Sequence, residues 1–175
     1  MIRRTIPLLF SFYIINAQIA LPTFQAVHKP HSSSSSYNLV TLEFATSATS
    51  DGQGLTFSSN MDFNSTGGGH LFCQQYNDTD YIYFSSPTYV ESFEMNAMPW
   101  SGYSGGSGWQ QNIYALDSGG NTLWSTTVNL SNYKSWSSWL TVSVSTADIS
   151  TLKFEKPTAS GGGFWPSIDN MIIAE

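Results

Sequence analysis

Short runs in which apolar and polar residues alternate recur from about residue 38 to the end of the chain, and no apolar pattern holds a 3.6-residue period beyond two turns. The alternation is clearest in Leu140-Thr141-Val142-Ser143-Val144-Ser145, where Leu140, Val142 and Val144 fall on one face and the hydroxyl residues on the other. In Leu152-Lys153-Phe154-Glu155 the two charges share the face opposite Leu152 and Phe154. About ten short strands are predicted, at 38–44, 54–58, 69–75, 80–85, 89–98, 109–117, 121–130, 138–145, 149–156 and 167–174, separated by clusters of Gly, Asn, Asp, Ser and Pro. Asp117-Ser118-Gly119-Gly120-Asn121 tolerates positive φ, so a tight hairpin is predicted there. No repeat of fixed period is visible. The pattern predicts an all-β fold, a two-sheet antiparallel β-sandwich of the jelly-roll kind.

The strands do not begin at once. Residues 1–20 carry Arg3 and Arg4, an apolar run from Ile6 to Ile15, and small residues at Ala17 and Ala20, the three parts of a signal peptide. An N-terminal anchor or a core strand is the alternative, but the run is short of the ~20 residues of a membrane span and no later segment approaches that length. Residues 21–36 form a Pro- and Ser-containing tether that ends in five serines, Ser32 to Ser36, too polar to order itself. The domain is expected at 37–175, and the leader implies a secreted, extracellular protein.

Charge narrows the partners. Only 10% of residues are charged, against the usual ~25%, while aromatics reach 15%. Removal of the leader leaves Lys29, Lys134, Lys153 and Lys156 against twelve acidic residues and no arginine. Nucleic acid and anionic membranes both need a cationic footprint, so neither is expected as a partner. A neutral polar surface suits uncharged ligands. Cys73, the single cysteine, cannot close an internal disulfide, and its apolar neighbours predict a buried thiol. Sequons for N-glycosylation stand at Asn64, Asn77 and Asn129, no more than a chain this rich in Asn, Ser and Thr supplies by chance.

The leading functional candidates are aromatic residues outside the inner faces of the strands: Trp100, Tyr103 and Trp109 around a Gly-rich loop, Trp136 and Trp139 in one polar segment, and Trp165 beside three glycines. Sugar rings present flat C–H faces on which such side chains stack while nearby amides, here Gln110, Gln111, Asn112 and Asn132, bind hydroxyls. Against this stands core packing, the commonest fate of tryptophan.

Asp169 lies in the last predicted strand beside Ile168 and Ile172, where an uncompensated charge is costly, so it needs an amide, a hydroxyl or a cation. The stretch Trp165-Pro166-Ser167-Ile168-Asp169-Asn170-Met171-Ile172-Ile173 resembles the closing strand of galactose-binding-like and carbohydrate-binding-module jelly rolls. That resemblance implies a structural Ca²⁺ held by the aspartate, an acidic residue of the first strand and backbone carbonyls, with Asp169 and Glu43 as the two acidic positions here. Hard oxygen ligands fit Ca²⁺, although two carboxylates alone specify no metal.

Catalytic sets are scarce. A glycosidase needs two carboxylates about 5–10 Å apart across a groove. Glu91 and Glu94 are three apart, which on a regular strand places them on opposite faces. Asp78 and Asp80 flank a predicted turn. His28 and His31 lie in the tether, leaving His70 alone in the domain, with no nucleophile elbow, zinc set or phosphate loop. The expectation is a secreted non-enzymatic sandwich that binds neutral glycans, such as a cell-wall polysaccharide, by aromatic stacking. A structural or adhesive surface protein and a small polysaccharide-degrading enzyme are the alternatives, and the oligomeric state is open.

Overall fold

Alternating residues of the kind just described bury one face of most strands, and in the computed structural model two of these strands are long enough to serve two layers. The structure describes residues 36–44, 54–65, 68–73, 79–97, 109–156 and 166–174, all within one compact unit, Ser36–Glu175. They form β1 (Leu39–Leu42), β2 (Leu55–Phe57), β3 (Met61–Asn64), β4 (His70–Cys73), β5 (Asp80–Asn96), β6 (Gln110–Leu116), β7 (Thr122–Asn129), β8 (Leu140–Glu155) and β9 (Ser167–Ala174), with no α-helix among the described residues. The leader, the tether to residue 35, Trp100, Tyr103, Trp165 and the Asn77 sequon lie outside the described residues.

Every pairing is antiparallel, and the ladder runs β3-β4-β9-β5-β8-β6-β7, with β1 also on β9 and β2 also on β5. The first half of β5 and the second half of β8 lie with β2, β6 and β7; the other halves lie with β9, β4, β3 and β1. These are the two layers of a sandwich. Their inner faces meet: the Phe93 ring, from the second half of β5, stands edge-on to Phe154, from the second half of β8, at 5.9 Å. Phe44, just past β1, meets Phe57 of β2 at 6.0 Å.

The crossings are made by irregularities. Between Val90/Thr146 and Ser92/Ser143 the β8 strand carries an extra residue, and Ser145 there has φ 45°. Asp148 (φ 63°) lies at the next register shift, and Asn170 (φ 47°) at the extra residue of β9 opposite Ser92–Glu94. Asp and Asn tolerate the left-handed region better than most residues, and such bulges bend a strand and raise its twist.

Two separations in the predicted strand list are corrected by this. Residues 80–85 and 89–98 are one strand, β5, which passes through the exposed Ser85-Ser86-Pro87, and 138–145 and 149–156 are one strand, β8. Pro87 donates no ladder hydrogen bond, but the β5–β8 register skips from Tyr83 to Thr88, so none is required of it there. β3 was not foreseen, because Met61-Asp62-Phe63-Asn64 is short and flanked by turn residues. Nine strands therefore replace about ten among the described residues.

The clearest alternations and the hairpin hold. Val142 and Val144 are buried and Leu140 packs against the core; Leu152 and Phe154 are buried while Lys153 and Glu155 form an outer ion pair at 3.1 Å. In the β6–β7 turn the Asp117 amide donates to the Asn121 carbonyl and the Gly120 amide to the Asp117 carbonyl, with Gly120 at φ 80°. Full burial of each core Leu, Ile or Phe is worth about 1.5–3 kcal/mol, whereas an exposed ion pair contributes about 0–1 kcal/mol. The inward residues therefore hold the layers together, and the outward ones are free to serve another purpose.

Candidate functional site

The outer face of the first layer follows from register. Tyr81, Lys153, Tyr114 and Ser125 are consecutive partners across β5, β8, β6 and β7, and Tyr83, Thr151, Leu116 and Thr122 form the next row. Thr56 of β2 stands opposite Tyr83. Directly opposed residues share a face. Their alternate neighbours Ile82, Phe84, Leu152, Phe154, Ile113 and Ala115 are buried, which settles that these rows look outward.

Tyr81 and Tyr83 stack at 5.6 Å with an interplanar angle of 15°, and Tyr83 is 40% exposed. The Lys153 ammonium lies 5.0 Å over the Tyr114 ring while also pairing with Glu155. Thr127 donates to Asn112 Oδ1 at 2.7 Å. The result is three tyrosines among hydroxyls and an amide, with one cation and one anion that neutralise each other. Sequence reasoning passed over these tyrosines in favour of loop tryptophans. The signal was present in Asp80-Tyr81-Ile82-Tyr83-Phe84, where Ile82 and Phe84 claim the inner face and force both tyrosines outward.

The tryptophans foreseen in the loops are placed differently. Trp136 and Trp139 come together, with ring centres 6.2 Å apart, and Trp136 leans on His70 at 4.6 Å. His70 is 2% exposed, in keeping with a structural role. The Trp139 indole N–H donates to the Trp136 carbonyl at 3.0 Å. Beneath them the fully buried Asn96 donates through Nδ2 to the carbonyls of Ser135 (2.6 Å) and Ser138 (2.7 Å), and its Oδ1 has no partner among the described residues. Trp109, at φ 61°, carries the Lys134 ammonium 4.9 Å over its ring. All three indoles are half-buried. Among the expected amides, Gln111 is buried and Gln110 and Asn132 are exposed.

Asp169 is engaged. Asp169 Oδ1 accepts the Phe44 amide at 2.8 Å, so the partner it needs includes a backbone amide. β1 pairs with β9 from Leu42↔Met171 onward, which brings exposed Glu43 to the same end of the pair. Ca²⁺ takes six to eight oxygens. No group of three or more His, Cys, Asp or Glu that could hold a metal occurs among the described residues.

The opposite-face expectation for Glu91 and Glu94 needs correction. Ser92 and Phe93 are both buried, which breaks the alternation and leaves both glutamates half-buried near the β9 bulge. They nevertheless have separate partners: Glu91 Oε2 accepts the Tyr89 hydroxyl and the Ser145 hydroxyl, and Glu94 Oε2 accepts Asn170 Nδ2 at 2.7 Å. The bond to Glu91 raises the Tyr89 pKa above its ordinary value. Asp80, read as an ordinary turn residue, is buried at the start of β5 and accepts the Ser58 hydroxyl at 2.9 Å. Cys73 is buried as expected, and burial, followed by the charge of Asp80, pushes its thiol pKa well up.

No family model matches the chain, and no curated protein matches it in sequence. Among solved structures it is similar to a family 29 carbohydrate-binding module, CBM29-2, carrying a point substitution, at 14% identity and a TM-score of 0.49 over 78% of this chain and 91% of that one. It is also similar to the CBM36-1 domain of a multidomain xylanase from the hindgut metagenome of Trinervitermes trinervoides, at 13% identity and a TM-score of 0.45 over 79% and 98%. The C-terminal CBM6 of LamC from Zobellia galactanivorans matches at 17% identity and a TM-score of 0.43 over 79% and 100%.

Proposed function

We propose that the chain is a secreted, non-catalytic carbohydrate-binding sandwich that holds neutral glycans, such as those of a cell wall, by stacking them on aromatic side chains. One observation carries this reading: the outer face on which Tyr81, Tyr83 and Tyr114 stand among Thr56, Thr151, Ser125, Asn112 and Thr127. A sugar offers C–H faces to the rings and hydroxyls to the short polar side chains, and tyrosine combines an apolar ring with a polar edge. Lys153 and Glu155 pair with each other beside the tyrosines, which favours uncharged ligands there. Trp109, Trp136 and Trp139, each half-buried, are lesser candidates for contact, and the further candidates Trp100, Tyr103 and Trp165 lie outside the described residues.

The test is a pull-down of the purified protein on insoluble neutral polysaccharides together with a panel of soluble oligosaccharides. Binding to at least one class, weakened about tenfold by Tyr83→Ala with an unchanged melt, is expected. A folded protein that binds none of them, and forms stable oligomers on size exclusion, would favour the adhesive reading. The Ca²⁺ at Glu43 and Asp169 stays a separate proposal with its own measurement: chelation lowers the melting temperature if an ion is held there, and an unchanged melt removes it.

A further inference from the structure

The tyrosine face does not run on indefinitely. At one end it meets a cleft of 490 Å³, within the size range of small-ligand pockets, lined by Tyr83, Ser85, Ser86, Ser118, Ser150 and Thr151 among others. Each border of this cleft has a structural cause. On one side β5 leaves its partner: the β5–β8 register is lost after Tyr83 and resumes only at Thr88, so the exposed Ser85-Ser86-Pro87 stands at the sheet's end. On the other side β6 turns into β7 through Asp117 to Gly120. Ser150 and Thr151 of β8, the strand that lies between β5 and β6, lie between these two borders.

The chemistry of the cleft is narrow. Its polar side chains are hydroxyls, apart from Asp117. That carboxylate is already committed to its own turn: Oδ1 accepts the amides of Gly119 (2.9 Å) and Asn121 (2.8 Å), and Oδ2 accepts Asn121 Nδ2 at 3.0 Å. No lysine, histidine or second carboxylate lines the cleft among the described residues. Hydroxyls both donate and accept, so the cleft suits a neutral ligand dense in hydroxyls and gives no counter-charge to a phosphate or carboxylate, while its one anion, Asp117, is already hydrogen-bonded within its turn. Tyr83 joins the two parts: one side of its ring is covered by Tyr81, and the same residue borders the cleft.

Resting on the glycan-binding reading above, we infer that this cleft receives the terminal sugar of a neutral glycan chain. The following residues of the chain then lie along Tyr83, Tyr81 and the row to Tyr114. A chain laid on the tyrosines meets the β5 bend and the β6–β7 turn where the sheet ends, and the cleft between them holds one end of it. The ligand class is therefore chain ends of neutral oligo- and polysaccharides, in preference to chain interiors.

The probes are length series of linear neutral oligosaccharides, gluco-, xylo- and manno-oligomers, titrated calorimetrically against the full chain, and the matching polymers before and after partial hydrolysis. End recognition gives one protein bound per chain at every length, an affinity that levels off after a few residues, and a polymer capacity that rises with the number of ends. Ser118→Trp, on the exposed turn, fills the cleft mouth and lowers affinity at least tenfold; Ser86→Trp does the same from the opposite side. Melting curves of both variants match the parent, which separates blockage from misfolding. Capacity that rises with chain length, together with full affinity in both variants, overturns the end-binding inference and leaves the tyrosine face as a binding surface for chain interiors. Absence of binding by the folded parent to any oligomer or polymer overturns the glycan-binding reading itself, and the inference with it.

Discussion

The segment around Trp136 and Trp139 and the outer face bearing Tyr81, Tyr83 and Tyr114 are both rich in aromatic rings, yet the chain treats them in opposite ways. In the first, indoles fold back onto buried His70 and onto each other, and the backbone beneath them is clamped by Asn96. In the second, rings rise from a sheet whose neighbouring side chains are mostly short hydroxyls, too small to cover them. A loop can wrap its aromatics, whereas a strand whose alternate residues are committed to the core has to present them. Tyr81 and Tyr114 are half-buried like the tryptophans, and it is Tyr83, 40% exposed at the end of the outward row, that has the strongest claim to ligand contact.

The contrast can be broken most forcefully at Asn96. Asn96→Ala removes two hydrogen bonds and strands two carbonyls beneath the loop, at a cost of about 3 kcal/mol, or a melting temperature lower by roughly 10 °C. Glycan binding by the tyrosine face is expected to survive below that temperature. An unchanged melt would show that the loop is not held from below. Trp136→Ala comes next: loss of a half-buried ring from His70 lowers stability by about 2 kcal/mol with little change in affinity.

The smallest effect concerns the β6–β7 turn. The hydrogen bond from the Asn121 side chain, followed by those from backbone amides, lowers the Asp117 pKa, so the native turn favours the ionised carboxylate. A depressed folded-state pKa contributes stability that is fully present above the ordinary value of 3.8 and is lost as pH falls through the folded-state value. The melting difference between the parent and Asp117→Ala is expected to be small at neutral pH and to shrink below pH 3.8. A difference independent of pH would remove the carboxylate from the account of the turn.

The strands were legible because alternation is a local property. Leu140 to Val144 and Leu152 to Glu155 announce their inner and outer faces without reference to the rest of the chain, and Asp117 to Asn121 announces its turn. The joining of predicted pairs into β5 and β8 was not legible, because it depends on bulges at Ser145 and Asp148 that only the other layer requires. Asp169 was read correctly as needing a partner, but that an amide of Phe44 fills the role depends on β1 lying beside β9. The tyrosines were visible as outward positions of their strands. Their assembly into one face was not, since it arises from the order β5-β8-β6, in which the middle strand is the latest of the three along the chain.

Parallel titration of the parent, Tyr83→Ala and Trp136→Ala with the best-bound neutral oligosaccharide tests the central claim most directly. The account predicts that Tyr83→Ala loses about tenfold in affinity, roughly 1.4 kcal/mol, with its melt unchanged, while Trp136→Ala melts lower and binds as the parent does. Full affinity in Tyr83→Ala, with binding abolished in a folded Trp136→Ala, would contradict it.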